Sequence, residues 1–98
     1  MSDTTAAVTI LIEIHAKHGQ EQDARDGLVT AITTSVKPGF LGSEVFEDLN
    51  DPCAFYSVQS WENAAAFRAH MAEAAEGMAE ATSMLRDAPR TSVLRRIA

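Results

Sequence analysis

The segment Val8 to His15 constrains the fold most strongly. Val8, Ile10, Ile12 and Ile14 form a wholly apolar side, and Thr9, Leu11, Glu13 and His15 form a mixed one. β-branched residues repeating every second position suit a pleated strand and crowd a helix. A strand with one such face needs neighbouring strands and a layer laid over them.

The rest of the chain supplies those parts. Lys17 to Gly19 is turn chemistry, and Gln20 to Val36 reads as a helix with Ala24, Leu28, Ala31, Ile32 and Ser35 on one stripe. Gly27 costs that helix about 1 kcal/mol relative to alanine, so the helix depends on docking. Pro38-Gly39 stops it. Phe40 to Asp48 reads as a second strand, Leu49 to Pro52 as a turn, and Cys53 to Trp61 as a third strand, which makes a hairpin. A helix follows, with Ser60 as its expected N-cap and Ala64, Phe67 and Met71 on its apolar side. A break is expected near Met71 to Ala74, then a further helix to about Arg86 with Met78, Ala81 and Leu85 on one side. Thr91 to Ile97 is the last strand. The order β-α-β-β-α-α-β is that of an α+β, ferredoxin-like split βαβ fold, with one antiparallel sheet and helices over one face. The 98 residues fit a single domain, with residues 1–7 expected to be a flexible N-terminus.

Helices over one face leave the other to water or to a partner. Strand three carries Ala54, Tyr56 and Val58 on one side and Phe55 and Trp61 on the other. Strand two divides Phe40 and Phe46 from Leu41 and Val45, and strand one keeps Leu11 on its mixed side. Apolar groups on both faces predict that both are covered, most simply by a second copy in a two-fold homodimer.

Charge narrows the partners. Eight Lys and Arg stand against fourteen Asp and Glu, a formal net charge of -6. That balance argues against nucleic acid and against an anionic membrane surface. No apolar run approaches the roughly 20 residues of a membrane span, and no signal peptide is visible. Lone Cys53 fits a reducing cytoplasm. Asp48 and Asp51 near it disfavour a thiolate, so it is not read as a nucleophile. His15 and His18 fall at a strand end and in the following turn, where helical ligand spacing does not apply. No metal site is expected.

Trp61 to His70, WENAAAFRAH, closes strand three and opens a helix. This segment, with Pro38-Gly39-Phe40 before strand two and the element order from Val8 to Ile97, resembles the antibiotic biosynthesis monooxygenase family of dimeric α/β-barrel proteins. The resemblance implies a homodimer that encloses a small apolar or aromatic substrate. It also implies oxidation of an anthrone-like polyketide or a hydroquinone to a quinone with dioxygen, using no metal, flavin or other cofactor. In the haem-degrading branch the axial histidine falls about ten residues beyond His70, at Glu80 here, so no haem is implied.

Trp61 and His70 are the candidate catalytic residues. Trp61 is placed to stack on a flat substrate and donate its indole N–H, or simply to pin helix to sheet. His70 is read as lying near a helix C-terminus, where the dipole raises its pKa; it would take a phenolic proton or steady an anion, or else cap the last carbonyls. Ser57 stands where some polyketide-oxidising relatives carry asparagine, and alternation puts it on the face of Trp61 with Phe55 and Gln59. Phe67 stands where such relatives have tyrosine. Phe55, Phe67, Met71 and His15 complete the candidate substrate-binding set. The departures at Ser57 and Phe67 keep a second reading open: a dimer of the same fold that binds or isomerises a small metabolite without oxygenation.

Overall fold

In the computed structural model, residues 6–34 and 37–98 are described, with the side chains of 32–34 and 75–81 left out of the description. The expected flexible N-terminus therefore lies mostly outside the described residues, as do Ser35, Val36 and the side chains of Ile32, Met78 and Ala81.

The strand Val8–His15 (β1) sits inside a four-stranded sheet. It pairs antiparallel with Asp51–Trp61 (β3) on one side and Arg90–Leu94 (β4) on the other, while Phe40–Asp48 (β2) pairs with β3. The sheet order is β2-β3-β1-β4. Helices Glu21–Thr34 (α1) and Ala64–Thr82 (α2) complete the α+β fold. Register places Ile10, Ile12 and Ile14 beside Gln59, Ser57 and Phe55, so these share a face with Trp61. That face carries Ile10, Trp61 and Phe67 as one buried cluster and Ala16, Ala24 and Phe55 as another.

Several boundaries differ from the sequence reading, each for a local reason. The hairpin turn is only Leu49-Asn50, because Asp48 already pairs with Asp51. The Asp48 and Asp51 carboxylates accept the backbone N–H groups of Asn50 and Cys53 at 2.8 and 3.0 Å. Ser60 is not the cap of α2. It remains in the ladder opposite Thr9 and Gly42, and Asn63 takes over, its Oδ1 accepting the Ala66 N–H at 2.8 Å. No break interrupts α2, which runs through the alanine-rich tract and ends at Thr82 instead of near Arg86. Leu85 therefore leaves the helix and bridges to Ala16, with Met84 and Arg86 bonded to the backbone of Lys17 and His15. β4 stops at Leu94, opposite Thr9, where β1 is nearly spent. Ala31 is exposed, so the buried stripe of α1 is carried by Ala24 and the half-buried Leu28.

A register shift between Phe40 and Gly42 changes the faces of β2. An extra residue in one strand reverses side-chain parity beyond it. Phe40 therefore joins Trp61, whereas Phe46 pairs with Tyr56 on the open face; the two phenylalanines do not share a side. Gly39 sets the angle of approach. Its φ is +82°, and a Cβ there would lie 2.6 Å from that of Ala66. Its carbonyl accepts the Glu62 N–H at 2.8 Å, tying the start of β2 to the start of α2.

Candidate functional site

Trp61 ends β3 and is 1% exposed. Three rings surround it. Phe40 meets it edge-on at 5.3 Å between centroids, and Phe67 does so from α2 at 5.7 Å. His70 stacks on it at 5.3 Å with 26° between planes. Val8, Ile12, Ala66 and Met71 pack around this group. The apolar side of α2 is thus as expected at Phe67 and Met71.

Polar groups thread through the same end. The indole N–H donates to Gln59 Oε1 at 3.0 Å, and Gln59 Nε2 donates to Ser57 Oγ at 3.3 Å. Residues 57, 59 and 61 alternate onto one face, so one strand supplies the whole chain of bonds. The indole N–H is therefore already engaged within the protein. Ser57 is buried and lies on the Trp61 face as expected. Gln59 links the two, a role that alternation alone does not reveal.

Two buried polar atoms at this end have no hydrogen-bond partner among the described residues: His70 Nδ1 and Ser43 Oγ. Ser43 pairs with Gln59 across β2 and β3, which puts it on the same face. A buried polar atom without a partner costs about 1–3 kcal/mol, so such atoms mark places where a ligand or water completes the structure. The sequence reading passed over Ser43; its only signal is a serine aligned with the Ser57, Gln59 face.

His70 corrects one expectation. It lies in the second turn of α2, far from the helix C-terminus at Thr82. Its pKa is lowered from the ordinary 6.5, chiefly by burial and further by the nearby Lys37 charge, with Glu73 opposing. The imidazole is neutral near pH 7 and can accept a proton.

Two candidates lie elsewhere. His15 pairs with Ala54 and falls on the opposite face from Trp61, since β1 alternates. Phe55 shares the face but is buried in the other cluster, with Ala16 and Ala24. Strand length separates it from Trp61, about 20 Å for six residues.

A cavity of about 250 Å³ opens beside the aromatic end, between α2 and the β1-β4 edge. Val8, Ala64, Arg68 and Val93 line it. Val8 also packs on the Trp61 cluster, so the cavity adjoins the rings. Val93 pairs with Ile10 on the covered face yet is 55% exposed, which shows that the helices leave the inner side of β4 open.

A split βαβ sheet with an aromatic, partly polar buried end and an open hollow beside it defines a ferredoxin-like α+β domain. The chain belongs to the antibiotic biosynthesis monooxygenase family, whose model matches residues 7–80. No curated protein matches it in sequence. Among solved structures it is similar to PA3566 from Pseudomonas aeruginosa, with a TM-score of 0.82 and 21% identity, covering 99% of this chain and 100% of that one. NE2512 of Nitrosomonas europaea, a protein of unknown function, gives 0.80 and 22%, covering 97% and 93%. A variant of SnoaB, a cofactor-independent oxygenase from Streptomyces nogalater, gives 0.80 and 13%, covering 99% and 96%. At these identities the likeness is one of fold. No described helix is long and apolar enough to cross a membrane.

Proposed function

We propose that this chain is a cofactor-independent monooxygenase that oxidises an electron-rich aromatic, of the hydroquinone or anthrone class, to a quinone. The observation that carries the reading is the stacking of His70, its buried Nδ1 without a partner among the described residues, on the face of Trp61, where burial lowers the imidazole's pKa and so favours the neutral ring. The family membership and the likeness to an oxygenase of this fold support it.

The chemistry follows from those groups. A bound anthrone gives a proton from its methylene carbon to the His70 imidazole. The resulting anion passes one electron to dioxygen, and the two radicals combine into a carbon-bound peroxide. Loss of the second hydrogen with O–O cleavage leaves a quinone carbonyl and releases water. The substrate supplies the electrons, so the protein needs only to orient it, exclude water and move protons. Trp61, Phe67 and Met71 would shape an apolar wall, and Ser57 with Ser43 would bind a substrate oxygen.

The same reading makes the protein a cytoplasmic homodimer. The open face of the sheet carries exposed Phe46 and Leu94, with Leu11, Tyr56 and Val58 between them in register. A second copy would cover them. The lone Cys53 thiol suits a reducing compartment.

One observation favours the rival, a binding or isomerising dimer: the Trp61, Gln59 and Ser57 groups already satisfy one another. Oxygen uptake separates the two. Chelator-treated protein is tested with hydroquinones, naphthols and anthrones beside Trp61→Phe and His70→Ala. The oxygenase reading expects uptake that scales with protein and falls in both variants. Saturable binding with no uptake across the panel would sink it and leave the rival.

A further inference from the structure

At the other end of β3 the described residues bring three different metal-ligating side chains together. His18, Glu21 and Cys53 each place one ligand atom within 4.8 Å of the other two. Cys53 Sγ lies 3.7 Å from Glu21 Oε1, and His18 Nδ1 lies 3.8 Å from that same oxygen. A tetrahedral zinc ion, with a bond of about 2.3 Å to sulfur and about 2.0–2.1 Å to nitrogen or oxygen, holds its ligand atoms about 3.3–3.6 Å apart. The two separations to Glu21 therefore need to close by only a few tenths of an ångström, and the Cys53–His18 separation, within 4.8 Å, by about 1.2 Å at most.

The fold builds this juxtaposition from two separate segments. His18 and Glu21 flank the left-handed turn at Gly19, and Cys53 arrives from the start of β3. The Gly19 N–H donates to Glu21 Oε1 at 2.7 Å, which fixes the carboxylate that both other groups approach. Such an outer hydrogen bond orients a ligand before the metal arrives. The His18 side chain is fully exposed, so it can turn onto an ion without disturbing the core.

We propose that His18, Glu21 and Cys53 form a binding site for a divalent cation of the zinc class, with solvent in the fourth position. Thiolate and imidazole ligands select such an ion over magnesium or calcium. On binding, the Cys53 thiol releases its proton to solvent as the sulfur–metal bond forms. The ion would clip the first turn of α1 to β3 and so hold a helix that Gly27 weakens. Cys53 and Trp61 are eight residues apart on β3, about 26 Å along an extended strand, so this site stands apart from the aromatic end.

Cobalt(II) is the probe. Reduced, chelator-stripped full-length chain is titrated with Co²⁺ and then with Zn²⁺. The wild type is expected to show a thiolate-to-cobalt charge-transfer band and the intense visible bands of a four-coordinate ion, both erased by Zn²⁺. Cys53→Ser should lose the charge-transfer band. His18→Ala and Glu21→Gln, both at the surface, should each weaken binding roughly tenfold or more. His15→Ala, on the sheet face away from α1, should bind as the wild type does. Circular dichroism establishes that each variant is folded. No band in the wild type, or a band that survives unchanged in both His18→Ala and Glu21→Gln, would overturn the site.

Discussion

Phe55 and Trp61 occupy the same strand and the same face, but their surroundings differ in kind. Around Phe55 the partners are Ala16, Ala24, Ile14, Leu28 and Cys53, small or aliphatic groups that let α1 approach the sheet. Around Trp61 stand three further rings, a chain of side-chain hydrogen bonds and two buried polar atoms with no partner among the described residues. The first end is what a helix needs for docking. The second carries more polarity than docking needs, and a polar atom without a partner makes a core weaker. That excess, not burial alone, distinguishes a site from a core, because both phenylalanine and tryptophan are buried equally well.

Truncating both large rings gives the strongest test of this contrast. Trp61→Ala and Phe55→Ala should each cost about 3–5 kcal/mol in urea unfolding, since each leaves a cavity in a buried cluster. Only the tryptophan variant should lose turnover per folded molecule. Equal loss in both would erase the distinction between the two ends.

Next in size is Gln59→Leu. It leaves the indole N–H buried without its acceptor, at a cost of about 1–3 kcal/mol. The matching change at the quiet end, Leu28→Met, keeps volume and should cost less than about 1.5 kcal/mol. Denaturant midpoints compare the two directly.

His70 gives a smaller effect with a defined sign. Its folded pKa is below the ordinary 6.5, so the unfolded chain binds the proton more readily. The stability tied to the neutral ring is present above the unfolded pKa and is lost as pH falls below it. Stability measured between pH 7.5 and 5.5, about one unit either side of the ordinary histidine value, should decline less in His70→Phe than in the wild type. An identical decline would show that the ring is not held neutral by its site. Smallest is Gly27→Ala. An added Cβ would meet only Met84 Cε at 3.9 Å, an ordinary contact, so helix propensity should stabilise the chain by about 1 kcal/mol.

Much of this architecture is written in local patterns. The period-two run at Val8 to Ile14 and the strand-to-helix change at Trp61 predict the sheet, the hairpin and the covered face, and they place Ser57, Phe67 and Trp61 correctly. What escapes the sequence depends on competition between neighbours. Ser60 is a good cap in isolation but is held in two ladders, which leaves Asn63 to cap the helix. The bulge after Phe40 reverses the parity of β2, and its mark in the sequence is Gly42, a glycine inside a strand pattern, which the alternation of apolar residues alone overlooks. The alanine-rich stretch after Met71 has no proline, and Gly77 does not stop the helix, so α2 continues and His70 falls in its early turns, which inverts the expected shift of its pKa. The metal-ligating trio is invisible in sequence because Glu21 and Cys53 are 32 residues apart.

Trp61 is the chain's single tryptophan, so its emission reports the aromatic end alone. The most direct measurement is an anaerobic fluorescence titration with an anthrone, paired with calorimetry of the same solution. The account predicts saturable quenching whose midpoint matches the calorimetric one and which weakens in His70→Ala. Calorimetric binding with unchanged tryptophan emission would place the ligand elsewhere and contradict the assignment of this end as the site.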